Sequence, residues 1–116
     1  MSLRLLLLLA SMLCGEAGSP FDMEDQINVG YVAKNRVMSD RFPDTYEGVI
    51  AQGFYGRSTP TNECKSAASI VFWGHSTHDY YFVLSEGDRD WLGFGVGDER
   101  DCERGLCLNY YKEWGK

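Results

Sequence analysis

Several familiar signatures are missing from this sequence, and each absence narrows what the protein can be. There is no Asn-x-Ser/Thr site, so N-glycosylation is not expected. No serine sits in a Gly-x-Ser-x-Gly context, which excludes the nucleophile turn of the α/β-hydrolases. The glycines at positions 93, 95 and 97 have no lysine at the P-loop place, so they are not a phosphate cradle. Cys102 and Cys107 lack a second ligand pair of zinc-binding spacing. The acids Asp98, Glu99, Asp101 and Glu103 do not follow EF-hand spacing and alternate with Arg100 and Arg104, which pair with carboxylates instead. No metal and no cofactor is therefore expected. Nor does any stretch of about 11 residues or more read as carrying the 3.6-residue apolar period, so helix is expected to be minor.

What is present begins with a leader-like segment. Arg4 precedes an apolar run from Leu5 to Leu13, and the small residues Gly15 and Ala17 follow. A charged start, an apolar stretch and a small-residue cut site are the parts of a secretory signal peptide. The expectation is a signal over residues 1–17 with Gly18 first in the secreted chain. A membrane span needs about 20 apolar residues, and Gly15-Glu16 ends the run too early. Leu13 is too large for the residue before a lipidated Cys14. Removing Arg4 and Glu16 together leaves the net charge at −6. An acidic protein is repelled by nucleic acid and by anionic membranes, so neither is an expected partner. A secreted, extracellular protein meeting another extracellular protein or a glycan fits better.

With Cys14 lost, three cysteines remain. An oxidising compartment favours pairing, and Glu-Arg-Gly-Leu between Cys102 and Cys107 makes a short loop with a glycine to turn it. Cys102–Cys107 is the expected disulfide, leaving Cys64 free or able to link two copies into a dimer.

Seven Tyr, six Phe and three Trp rule out a disordered acidic tail. After a mobile lead-in over residues 18–26, short runs rich in β-branched and aromatic residues alternate with turn formers. They lie at 27–33, 46–55, 68–73, 79–85, 91–96 and 106–111. These imply an all-β, mainly antiparallel domain over residues 27–116, a small β-sandwich or barrel of about six strands.

Three groups of residues could carry chemistry. His75 and His78 fall in one expected hairpin loop beside Asp79, and two imidazoles can divide general base and general acid duties. As a strand, the run from Trp91 to Gly97 would put Leu92, Phe94 and Val96 on a core face. Trp91, Gly93, Gly95 and Gly97 would form a smooth track on the other face, where a sugar or an aromatic ring could lie, with Trp73 as a further aromatic. The third group is Glu47 with Arg57. Phe42-Pro43-x-x-Tyr46-Glu47-Gly48 resembles a segment of small fungal ribonucleases, and that resemblance implies Glu47 as base, His78 as acid and Arg57 steadying a phosphate. A separate resemblance runs through Phe72, Asp79, Phe82 and Leu84-Ser85. It is to the β-sandwich domain named for farnesoic acid O-methyltransferase, found in secreted proteins, and it implies a sandwich fold. The reading that results is a small secreted β-rich binding protein. Its alternatives are a ribonuclease-like hydrolase using His78, Glu47 and Arg57, or a secreted defence or toxin-like effector.

Overall fold

The computed structural model describes residues 2–115. Its elements run α1 (Leu3–Ala17), α2 (Met23–Val37), α3 (Tyr46–Gly53), α4 (Asn62–Trp73), β1 (Phe82–Ser85), α5 (Glu86–Leu92), β2 (Glu99–Glu103) and β3 (Leu106–Tyr111). This overturns the all-β expectation. Five helices and one antiparallel sheet of three strands, ordered β1-β3-β2, make a mixed α/β domain. Of the expected strands, only those at 79–85 and 106–111 contain strand.

The helices begin where side chains cap them. Asp22 accepts from the Asp25 amide at 3.1 Å while Asp25 accepts from the Asp22 amide at 3.3 Å, a reciprocal capping box. Thr45, Thr61 and Ser85 accept from amides three residues on and start α3, α4 and α5. Each cap satisfies an amide that the first helical turn leaves without a carbonyl. Burial then follows helical spacing. In α4 the buried residues are Cys64, Ala67, Ala68 and Val71, one stripe at i, i+3, i+4 and i+7. In α2 they include Val29, Val32, Ala33 and Arg36. The β-branched residues that suggested a strand at 27–33 pack inside a helix, because burial of an apolar face outweighs intrinsic propensities of a few tenths of a kcal/mol.

The core forms where α1, α2 and α4 pack on one another, with α3 against α1 and α2. Leu9, Met12 and Leu13 from α1 meet Val29 and Val32 from α2 and Val71 from α4, all fully buried. Leu108 and Tyr110 of β3 close the core from the sheet side. Lys34 ties α2 to the end of α4: its Nζ donates to the carbonyls of Val71 (2.9 Å), Phe72 (3.0 Å) and Gly74. A cation there satisfies terminal carbonyls and meets the negative end of the helix dipole.

Residues 3–17, expected from the sequence to be a leader, thus form one wall of this core. Cys14 is disulfide-bonded to Cys64 of α4. Cys64 is fully buried and already paired within the chain, so it cannot link two copies, which removes the basis for an intermolecular disulfide. Cys102 and Cys107 are bonded across the β2–β3 hairpin, where they are register partners. Among the described residues no helix is long and apolar enough to cross a membrane.

Candidate active site

A groove of about 800 Å³ opens where α1, α2, α3, α5 and β1 converge. Glu16, in the last turn of α1, is half-buried at its wall. Its position depends on the residue before it. Gly15 faces the backbone of Gly56 and Arg57 so closely that a Cβ there would overlap both. The extended chain after α3 therefore lies directly on α1, and Ser58 donates its amide to the Ser11 carbonyl at 3.1 Å. That contact delivers the Gly56 N–H to Glu16 Oε1 at 2.9 Å. One carboxylate oxygen is thereby held by a backbone donor, and the other remains available to a ligand.

The second charged group of the groove is Arg36, near the end of α2. It is only 8% exposed. Its Nε donates to the Tyr81 carbonyl at 2.7 Å. Phe42, Phe54 and Phe82 surround the guanidinium, with ring centroids at 5.1, 4.8 and 5.1 Å. Burial pulls its pKa down to about 10, so it stays charged at neutral pH. Gly53 makes room for it, since a Cβ at that position would collide with Nη1. The rim is aromatic. Trp91 is 84% exposed, Tyr55 76% and Trp114 56%. Trp114 is braced by Phe94 and Phe82 at centroid distances of 4.8 and 5.3 Å. Asp88 and Leu92 of α5 and the half-exposed Arg41 complete the lining.

Of the candidate catalytic and ligand-binding residues named from sequence, Trp91 alone lies in this groove. Gly93 is the left-handed cap of α5 (φ 76°). The Gly95 carbonyl accepts from the Tyr111 hydroxyl at 2.9 Å, and Gly97 packs on β3, where a Cβ would come within 2.9 Å of the Tyr110 backbone. Residues 91–97 are thus a helix end and a loop, and the glycine track on a strand face does not form. Trp73 is exposed at the end of α4, edge-on to Phe72.

His75 is exposed, while His78 is tied down on both nitrogens. His78 Nδ1 accepts from the Tyr80 amide at 3.1 Å and Nε2 donates to the Asn28 carbonyl at 2.9 Å. This staples the 74–81 loop to α2. Glu47 lies on the exposed side of α3, in a separate depression of about 670 Å³ beside Leu5 and Leu8 of α1. Arg57 donates to the Phe54 and Gly56 carbonyls at 2.6 and 2.7 Å. No hydrogen bond or ion pair joins any two of His75, His78, Glu47 and Arg57 among the described residues. The sequence did not point to Glu16 or Arg36, because the first fell within the expected leader and the second between the expected strands at 27–33 and 46–55.

No family model and no curated protein matches the chain. Solved structures do. The catalytic domain of the germination-specific lytic transglycosylase SleB from Bacillus anthracis is similar over 97% of both chains, with a TM-score of 0.66 and 23% identity. The catalytic domain of the Bacillus cereus SleB protein is similar over 93% of this chain and 91% of that one, with a TM-score of 0.59 and 19% identity. The chain has the SleB catalytic-domain fold. At these identities the likeness is one of fold, and it replaces the β-sandwich expected from sequence. With the strand-borne glycine track gone, the expectation of a β-rich binding module loses its footing. The ribonuclease-like alternative fails with the dispersal of Glu47, His78 and Arg57.

Proposed function

We propose that this protein is a glycan-cleaving enzyme of the lytic transglycosylase type, with peptidoglycan as its substrate and Glu16 as its general acid. The observation that carries the reading is the placement of Glu16. A half-buried carboxyl, fixed by the Gly56 amide, stands in an aromatic-rimmed groove on the fold of the SleB catalytic domains.

The chemistry follows from that placement. Trp91, Tyr55 and Trp114 offer flat apolar surfaces to sugar rings, and a groove open at its sides admits a polymer. Protonated Glu16 gives its proton to the glycosidic oxygen as the C–O bond breaks, and positive charge develops on the sugar left behind. The resulting carboxylate then takes a proton from whichever hydroxyl closes on that carbon. If the hydroxyl belongs to the same sugar, the product is an intramolecular anhydro ring. If it belongs to water, the outcome is hydrolysis. One group serves as acid and then as base, so the site needs no histidine. Asp88 of α5 also lines the groove and adds negative charge to it.

This reading keeps α1 in the working domain, since cutting after Ala17 would remove Glu16. It also places the protein outside the reducing cytoplasm, where peptidoglycan is found and where the two disulfides are stable. Incubation of the purified protein with peptidoglycan sacculi, followed by turbidity, tests it. Clearing is expected, with Glu16→Gln slower by roughly 10²–10⁴-fold. Clearing that is unchanged in Glu16→Gln would refute the assignment.

A further inference from the structure

The buried charge of Arg36 is left over by this mechanism. A guanidinium carries five N–H donors in a planar fork, and Nε is spent on the Tyr81 carbonyl. No hydrogen bond occupies the two terminal nitrogens, and no carboxylate lies within ion-pairing distance of them among the described residues. The three phenyl rings cover much of the group without neutralising it, and its terminal nitrogens are left open to solvent. A buried cation without an ionic partner is costly to hold. Its opening is the groove. The fork is also held in place. Nε is fixed by Tyr81, the rings of Phe42, Phe54 and Phe82 stand 5.1, 4.8 and 5.1 Å from Cζ, and Gly53 supplies clearance at Nη1.

We infer that the Arg36 end of the groove is an anion subsite that takes a carboxylate borne by the substrate. The inference rests on the glycan-cleaving reading and names a chemical requirement of the same groove: the strand must carry an acidic group at a set distance from the bond that breaks. That distance is bounded. Gly53 touches Arg36 and Gly56 donates to Glu16 at 2.9 Å, and since three residues of extended chain reach at most about 11 Å, the two charged groups with a contact at each end stand no more than about 17 Å apart. A carboxylate suits the site better than a neutral amide, because a planar acceptor pair matches the free edge of the guanidinium and the bonds are charge-assisted. Arg41, half-exposed at the rim over Tyr81, is itself paired with Glu113 at 3.9 Å, whereas Arg36 has no such partner among the described residues. The subsite sets the direction in which a strand lies.

The test compares one disaccharide-peptide fragment of peptidoglycan with its carboxylates free and the same fragment after amidation. Binding is followed in Glu16→Gln protein by the NMR signal of the Arg36 Nε–H and by titration. The free acid should shift that signal and bind about tenfold or more tightly than the amide, with the gap narrowing as salt is raised. A neutral N-acetylglucosamine oligomer should behave as the amide does. Equal affinities with no shift at Arg36 would overturn the subsite. Cleavage of native and amidated sacculi by the unaltered enzyme separates the two claims. Equal KM on both would leave the cleavage reading standing and remove the subsite. A shift at Arg36 without cleavage of either would do the reverse. Because Arg36→Met threatens folding, Arg36→Lys is the companion variant. It keeps the charge but loses the fork, and it should raise KM on native sacculi by more than KM on amidated sacculi.

Discussion

Gly15 is the position at which the packing argument is most exposed to refutation. It lies inside α1, so on helix propensity alone Gly15→Ala should stabilise the protein by up to about 1 kcal/mol. The structure opposes this. A Cβ on residue 15 would overlap the Gly56 carbonyl carbon and the Arg57 amide nitrogen, which are backbone atoms with no rotamer to yield. Either the 56–58 strip lifts off α1 or α1 shifts in the core. Overpacking of this kind costs about 1–3 kcal/mol. Lifting the strip also breaks the Ser58–Ser11 backbone bond and the charge-assisted bond from Gly56 to Glu16, the latter worth about 1.5–3 kcal/mol. The cost exceeds the propensity gain, and a net loss of about 2 kcal/mol should lower Tm by roughly 8 °C. Gly87, inside α5, is the control, since a Cβ there meets nothing within 4 Å. Gly87→Ala should raise Tm by a few degrees. Thermal melts of both variants decide the matter. If Gly15→Ala is stabilising like Gly87→Ala, the 56–58 strip does not lie on α1 and the support for Glu16 is wrong.

The two disulfides should rank by the loops they close. Replacing Cys14 and Cys64, which are 50 residues apart, should cost about 4 kcal/mol, against about 2 for Cys102 and Cys107, which are 5 apart; denaturant melts giving the reverse order would contradict the fold. Deleting residues 1–17 removes Leu9, Met12, Leu13 and Cys14 from the core, so the remainder should lose its cooperative melt by circular dichroism, whereas a folded remainder would show α1 to be dispensable. Burial, set against the hydrogen bond from the Asp22 amide, pushes the Asp25 carboxyl up to about 6. A raised folded-state pKa in an acid means the native state binds the extra proton, so this group's contribution to stability falls as pH rises from about 4 to about 6. Asp25→Asn should flatten that part of the stability profile, and an unchanged slope would remove Asp25 as its source.

Much of the fold was written locally, in signals outweighed by composition. Thr61 caps a stripe of Cys64, Ala67, Ala68 and Val71, which has perfect helical spacing. Its members are small, so the apolar period is faint. In α2 the run Ile27, Val29, Tyr31, Val32 is β-rich, and the Asp22–Asp25 capping box before it was the better guide. β2 hid in an acidic segment because its side chains pair across the hairpin and the loop: Arg100 and Asn109 both donate to Glu86, at 2.9 and 2.8 Å, holding that carboxyl down near a pKa of about 2. α1 is apolar on several faces at its start and carries Gly15 and Ala17 in its last turn, the pattern on which the export signal was expected. In the structure Gly15 is small because backbone crosses it, and Ala17 because it is fully buried. The site was less legible than the fold. Glu16, Arg36, Phe82 and Trp114 come from four separate segments, and nothing in their spacing shows that they converge. Nor could sequence show that Arg36 is buried without a counter-ion.

The central claim is that Glu16 cleaves a glycan in the groove, and mass spectrometry of the products tests it most directly. Peptidoglycan digested by the purified protein should release disaccharide-peptide fragments lighter by one water than their hydrolytic counterparts, marking the anhydro ring, and Glu16→Gln should release almost none. Intact peptidoglycan after prolonged incubation with folded, fully disulfide-bonded protein, or the same fragments from Glu16→Gln, would contradict the account.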